Sequence, residues 1–325
     1  MEPESRVGMT ALSALTFNAG LLKVQVLGWT VFENPQFAAE RLPFVGRALS
    51  SAPVLADIVC LQEVYTDTDA AVICRALEQT HPHVVRVNDV PTPLPKLHNG
   101  LMILSRWPLA QDSVVLERFV EASRAEQWMG NKSILKASFQ VPDLGPSLVT
   151  VLTTHLTSGG EHPESDAPSV DEVRGAELVQ LRRMAEASAA KGDIVIIAGD
   201  FNCGPSASEE NYRSLLEWTD DTYVAARDIF TPVTPACTWD PTIYLNRTNI
   251  HAACPANRLD LILLVPPGPK WQLNIDNAAI ILTEPCVPVS SSSGDPILVT
   301  LSDHYCYRSA MTLSLAPPTS LSLKN

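Results

Sequence analysis

The sequence lacks any C-x-x-C pair, and its seven cysteines, Cys60, Cys74, Cys203, Cys237, Cys254, Cys286 and Cys306, are scattered along 325 residues. That spacing argues against a zinc cluster and offers no disulfide framework, so free thiols in a reducing compartment are expected. Basic residues are also in short supply. Lys and Arg number 23 against 36 Asp and Glu, a net charge of −13, which disfavours nucleic acid as a partner bound through many neutralised phosphates. Long apolar runs are missing too. The opening MEPESRVGMT has no basic start followed by an apolar stretch, and the run from Ala11 to Leu27 is interrupted by Asn18 and Lys23. Neither a signal peptide nor a membrane span is expected, and the expected location is cytoplasmic. The glycosylation triplets at Asn131 and Asn246 are accordingly read as chance matches.

What is present is a globular composition, 46% hydrophobic and 18% charged, in a chain long enough for one large core. Short runs rich in Val, Ile, Leu, Thr or Phe predict buried strands. They fall at Leu12–Phe17, Ile58–Leu61, Leu101–Leu104, Ser133–Val141, Leu148–Thr153, Ile194–Ala198, Leu259–Val265 and Ala278–Leu282. Ser169 and Glu172 form a capping box that opens a helix with Val173, Ala176, Leu181 and Met184 on one face, stopped by Gly192. Helices are also expected at 35–50 and 67–79. An extended loop is expected at 91–95, and a flexible one at 288–296. Helices and strands without a strict βαβ rhythm predict an α+β layered sandwich. A single domain over 10–316 is expected, with terminal tails at 1–9 and 317–325.

Five segments place acidic, amide or imidazole groups at the end of an apolar run: Thr16-Phe17-Asn18, Leu61-Gln62-Glu63, Thr154-His155-Leu156, Gly199-Asp200-Phe201-Asn202 and Ser302-Asp303-His304. Strand ends of a sandwich can converge on one cleft, and residues two apart on a strand, such as Asp200 and Asn202, point the same way. Glu63, Asp303 and the amide oxygen of Asn18 form a hard-oxygen set suited to Mg²⁺, with Mn²⁺ as a substitute. His304 is a candidate base for activating water, oriented by the carboxylate of Asp260. Each segment alone also reads as an ordinary turn or a solvated helix start. Their joint occurrence in this order is what points to phosphoryl ester hydrolysis.

That ordered set resembles the endonuclease/exonuclease/phosphatase superfamily from about Leu12 to about Leu313, most specifically at 199–202, 257–260 and 302–304. The resemblance implies a four-layered α/β sandwich, two β-sheets flanked by helices. It implies metal-site roles for Asn18 and Glu63, alignment of the attacking water by Asp200, and phosphate contact by Asn202. It further implies pairing of Asp260 with the catalytic histidine, His304, beside Asp303. Within the superfamily the chain is similar to the neutral sphingomyelinases at 64–77, at Leu215-Leu216-Glu217-Trp218-Thr219, at Thr238-Trp239-Asp240-Pro241 and at Arg258-Leu259-Asp260. His155 fits their second histidine and Lys132 a lysine before the strand at Ser133. The chain departs from the pattern at Ser133, where glycine is common, and at Asn99.

The expectation is therefore a Mg²⁺-dependent phosphodiesterase that cleaves a phospholipid, a sphingolipid above all, to ceramide and a phosphorylated head group. Asn202 and His155 would bond the phosphoryl oxygens, with Lys132 adding positive charge. Trp239 and Tyr244 would face a quaternary ammonium. Trp29, Phe32 and Phe37 are expected in a loop and helix start near the cleft mouth, where Phe37 would pack inward while Trp29 and Phe32 would either pack with it or give peripheral membrane contact. Two alternatives stand beside this reading. One keeps the chemistry on a nucleic acid or an inositol phosphate. The other is a binding protein on a disabled hydrolase fold, against which the complete site residues count.

Overall fold

In the first strand, β1 (Thr10–Asn18), Leu12 and Ala14 pack to one side while Leu15 and Phe17 pack to the other. This is the period-two alternation of a strand buried on both faces, and it explains why the sequence shows a nearly continuous apolar run. The computed structural model describes residues 9–26, 29–87, 97–121, 130–142, 144–159, 169–227, 236–247 and 252–316. The loop expected at 91–95 and most of both terminal tails lie outside the described residues.

After β1 come a hairpin of β2 (Lys23–Val26) and β3 (Trp29–Glu33), helix α1 (Ala38–Leu49), β4 (Ile58–Gln62), helix α2 (Asp67–Leu77), β5 (His83–Val85) and β6 (Met102–Ser105). The middle of the chain supplies β7 (Val115–Arg118), β8 (Ser133–Phe139), β9 (Val149–His155), helix α3 (Val170–Ala189) and β10 (Ile194–Asp200). Helix α4 (Glu209–Leu216), β11 (Asp220–Asp221), the short helix α5 (Thr222–Arg227) and β12 (Asp260–Leu264) follow. The last elements are β13 (Trp271–Ile281), β14 (Val287–Ser290), β15 (Pro296–Val299) and β16 (Cys306–Leu315).

Two mixed six-stranded sheets result, ordered β13-β16-β1-β4-β6-β5 and β11-β12-β10-β9-β8-β7. Their inner faces share one core, in which Leu12, Ile58 and Ile103 of the first sheet meet Leu135, Val151 and Ile196 of the second. On the outside, Leu42, Val45 and Ile73 of α1 and α2 cover Leu15, Phe17 and Val59. Leu178, Leu181 and Met184 of α3, with Leu215 of α4, cover Val195, Ile197 and Leu263. Helix, sheet, sheet and helix make the four-layered α+β sandwich. Among the described residues no helix is long and apolar enough to cross a membrane.

The capping box is formed, Ser169 Oγ accepting from the Glu172 N–H at 3.2 Å and Glu172 returning a bond to the Ser169 N–H at 2.7 Å. Other expectations change. The segment at 288–296 is the turn of the β14–β15 hairpin and not an open loop. Its serines bond one another and Asp295, while Val287 and Val299 are buried beneath it. Trp29 and Phe32 lie on a strand, β3, because cross-strand pairing with β2 organises what composition alone leaves as loop. The helix expected from residue 35 starts at Ala38, since Phe37 adopts a left-handed conformation at its N-cap, half-buried against the core. Asn246 is wholly buried, its Nδ2 donating to the carbonyls of Asp240 and Asp303, which leaves no room for a glycan.

Candidate active site

Strand register brings the expected residues together. Asn18 ends β1 opposite Gln62 of the parallel β4, so Glu63 follows directly beside it. Asp200 ends β10 flanked by His155 of β9 and by Asp260 of β12. Gly199 is required for this approach: a Cβ there would lie 2.1 Å from the Thr154 carbonyl oxygen. Asp303 and His304 precede β16, and a bridge from Trp239 to both Asn257 and His304 ties this segment to the start of β12. All five segments thus meet at one edge of the sandwich.

The buried Asp260 Oδ2 lies 2.8 Å from His304 Nδ1. Thr238 Oγ1 accepts from the backbone N–H groups of Leu259 and Asp260, pinning the start of β12. The opposite ring nitrogen, His304 Nε2, lies 3.7 Å from Asp200 Oδ2, and His155 Nε2 lies 3.5 Å from the same oxygen. Burial works against a charged His304, but Asp260 and then Asp200 outweigh it and hold the ring's pKa well above the ordinary histidine value. Burial likewise opposes ionisation of Asp200. His304, His155, a bond from Asn18 and one from the Asn202 N–H overcome it and keep this carboxyl below its usual range.

Glu63 sits at φ 60, in the left-handed region, which turns its carboxylate out of the sheet toward the cleft. Its pKa is pushed up to about 7, first by burial and then by the neighbouring charge of Asp303. A buried Glu63 carboxylate crowded by the charge of Asp303, both lining the cleft with hard oxygens, fits a divalent cation such as Mg²⁺ or Mn²⁺. Asp200, Asp260 and His304 also offer ligand atoms within 4.8 Å of one another. There, however, Asp260 is already bonded to the His304 ring, and a cation would have to break that pair. A cation beside Glu63 and Asp303 would not break that pair.

One expected role changes. Asn18 Nδ2 donates to Glu63 Oε1 at 3.2 Å and to Asp200 Oδ2 at 2.9 Å, while its oxygen accepts from the Gly20 N–H. Asn18 therefore presents its amide nitrogen, not the expected oxygen ligand, to the acids, because carboxylate neighbours call for a donor.

On the opposite wall, the Leu156 carbonyl accepts from Lys132 Nζ and from Asn202 Nδ2, each at 3.0 Å. Arg174 and Glu177 of α3 bond Thr157 and so fix the loop that follows His155. The cleft between these walls encloses about 520 Å³ and is lined by Asn18, Glu63, Lys132, His155, Asp200, Asn202, Asp303 and His304. Its lining also includes the apolar side chains of Leu22, Phe32, Pro35, Tyr65 and Leu97. Trp239 lines the cleft, but Tyr244 does not. It packs against the core under α1 with the Arg247 guanidinium 5.8 Å above its ring, so its expected ligand contact is corrected to a structural one. Arg41 and Asn246 support the site yet carry no local sequence signal of it.

Comparison with known proteins agrees with this geometry. Residues 15–304 match the Endonuclease/Exonuclease/phosphatase family. A Drosophila melanogaster protein provisionally named a neutral sphingomyelinase is 24% identical over 205 residues, 60% of this chain but only 42% of that protein's own length. Sphingomyelinase C from Streptomyces griseocarneus superposes with a TM-score of 0.65 at 21% identity, over 95% of this chain and 100% of that one. A beta-toxin variant from Staphylococcus aureus, with bound magnesium ions, gives 0.67 at 18% identity over 92% and 99%. TDP2 from D. rerio, complexed with a single-strand DNA product, gives 0.64 at 20% identity over 93% and 99%. At these identities the superpositions establish a shared fold.

Proposed function

This chain belongs to the endonuclease/exonuclease/phosphatase family, and we propose that it is a divalent-metal-dependent phosphodiesterase acting on a phosphosphingolipid such as sphingomyelin. The observation that carries the reading is the shared oxygen of Asp200, which faces both histidine rings at 3.5 and 3.7 Å beside the Asp260–His304 pair. In its neutral form His304, held by Asp260, takes the proton of a water molecule as that water attacks phosphorus. Asp200 remains ionised, aligns that water, and stabilises the imidazolium that results. His155 and Asn202 bond the phosphoryl oxygens, and His155 supplies a proton to the departing alkoxide. Lys132 offsets the negative charge of the cleft where the phosphate enters. Mg²⁺, or Mn²⁺ in its place, held by Glu63 and Asp303, would supply positive charge against the charge developing on the phosphoryl oxygens.

Two features support a lipid over a nucleic acid. The cleft lining includes Phe32 of the β2–β3 hairpin, where Trp29 and Phe32 are 79% and 47% exposed, as suits a surface that meets acyl chains. The described lining also holds four acids, Glu63, Asp171, Asp200 and Asp303, against the cations Lys132 and Arg174, both of which bond backbone carbonyls. Trp239 is the lining aromatic that would meet a quaternary ammonium. The nuclease alternative keeps one observation in its favour, the DNA-bound TDP2 neighbour. The test compares phosphocholine release from sphingomyelin mixed micelles with nicking of plasmid DNA, with and without EDTA. EDTA-sensitive phosphocholine release without nicking is expected. Nicking without release from any choline lipid would overturn the substrate assignment.

A further inference from the structure

We propose that Arg41 is a positioning residue for the Glu63–Asp303 pair, acting by tying three separate loops to one guanidinium. The inference rests on the reading of that pair as the metal-holding carboxylates. Arg41 projects from α1 and is 0% exposed. Its Nε donates to the Gln36 carbonyl at 3.0 Å, Nη1 to Ala19 at 3.1 Å and Leu301 at 2.7 Å, and Nη2 to Gly20 and to Pro35. Every one of these acceptors is a backbone carbonyl. They belong to the loop that follows Asn18, the turn at the base of the β2–β3 hairpin, and the residue two before Asp303.

The loops so gathered are the ones that set the carboxylates. A Cβ on Gly20 would stand 2.7 Å from Asp303 Oδ1 and 2.8 Å from Ser302 Oγ, so the loop held by Arg41 is the wall against which Asp303 rests. Gly20 also gives its N–H to Asn18 Oδ1, which fixes the amide whose nitrogen bonds Glu63. From the other side, Asn246 Nδ2 holds the Asp303 carbonyl and Ser302 Oγ donates to Asp303 Oδ1. Arg41 makes no ion pair among the described residues, and the acids whose charges act on it most are Asp303, Glu33 and Glu63, in that order. The guanidinium therefore serves two ends. Its planar fork spaces the loops, and its charge lies beneath the two carboxylates without neutralising either by contact. Lysine can do the second but not the first, because one ammonium has three donors and no fixed plane.

Arg41→Lys therefore separates geometry from charge. We expect it to fold, by circular dichroism, and to bind Mn²⁺ roughly 10-fold or more weakly in calorimetric titration, the scale seen when outer partners of metal ligands are altered. The double variant with Asp303→Asn should bind Mn²⁺ no more weakly than Asp303→Asn alone, because the two changes act on one element. A folded Arg41→Lys with a lower melting temperature but wild-type Mn²⁺ affinity would overturn the inference and leave Arg41 a purely structural residue. Should the variant not fold, hydrogen exchange of the wild-type protein decides. Addition of Mg²⁺ should protect 19–22, 35–37 and 300–303 together, whereas protection confined to the segments carrying Glu63 and Asp303 overturns it. Wild-type protein that binds no Mn²⁺ would overturn the metal reading itself, and this inference with it.

Discussion

Asp260→Asn is the substitution that tests the hydrolytic reading most directly. The amide keeps the shape of the side chain and still accepts from His304 Nδ1, now across 2.8 Å of neutral rather than charge-assisted contact. Both groups are buried, so solvent screens little of the change. A hydrogen bond to a charged group contributes about 1.5–3 kcal/mol, roughly twice a neutral one. With the amide still bonded, the imidazolium formed in the transition state loses the difference, about 1.5 kcal/mol at the upper end. At one decade per ~1.4 kcal/mol, that corresponds to a turnover roughly 10-fold slower. The pH profile should move as well. Asp260 raises the His304 pKa against burial, so its neutralisation lets the ring shed its proton at lower pH and shifts the acidic limb of kcat/KM downward. Removing a buried charge while keeping the packing should change the melting temperature by only a few degrees. The assay is hydrolysis of a soluble phosphocholine ester between pH 5 and 9. Wild-type turnover with an unmoved profile would make Asp260 a structural acid and refute the reasoning.

Three further outcomes are expected. Glu63→Gln removes a charge that holds the cation, so Mg²⁺-stimulated hydrolysis should be lost and calorimetric Mn²⁺ binding weakened, and full activity of this variant in EDTA would sink the assignment. Trp29→Ala combined with Phe32→Ala should cost little stability, since exposed side chains seldom matter beyond ~0.5 kcal/mol. It should depress hydrolysis of liposomal sphingomyelin far more than of a soluble ester, while equal losses with a lowered melting temperature would show the pair to be core. His81 is buried, with Nε2 2.7 Å from the Ala56 carbonyl, and burial lowers its pKa. Its folded form thus prefers the neutral ring, and the stability this gives is full above the unfolded value of about 6.5 and lost as pH falls through the lowered folded value. Denaturant melts from pH 7 to 5 should accordingly show His81→Gln losing less stability than wild type, and parallel curves would count against the shift.

Those expectations draw on residues that differed in how legible they were. Asp303 and His304 could be picked out because they form an acid–imidazole pair just before β16, and Asp200 and Asp260 because each ends or opens an apolar strand buried along its length. The inner strands followed for the same reason. The β2–β3 and β14–β15 hairpins carry little local signal because their strands are only four or five residues long and either exposed or Pro-bearing, and their order comes from cross-strand pairing instead. Tyr244 departs from its expected place since nothing local tells a ring packed on the core from one facing a cleft. The Asn18 amide presents its nitrogen because its orientation depends on Asp200, 182 residues distant. Arg41 looks like any polar position of an amphipathic helix, and its role exists only once residues near 20, 35 and 301 have been brought to it.

The site's backbone also explains why its chemistry gathers at one edge. Glu63 follows β4 at φ 60, and Asn202 follows β10 at φ 47, both in the left-handed region that non-glycine residues avoid. Such conformations cost about 1–3 kcal/mol each and persist only where the surroundings over-determine them. Here they do. The preceding strands are buried throughout, and Val64 N–H to the Gly100 carbonyl and Asn202 N–H to Asp200 Oδ1 lock the turns just past them. A residue leaving a strand in the left-handed conformation cannot extend the sheet, so its side chain swings toward the open edge. Rigid, doubly buried strands thus bear the strain while the residues that end them line the cleft. The same logic accounts for glycine at 199, where β10 must lie so close to β9 that no side chain fits, bringing Asp200 beside His155 in register. Catalytic placement in this fold is a consequence of how two parallel strand pairs, β1–β4 and β9–β10, come to an end.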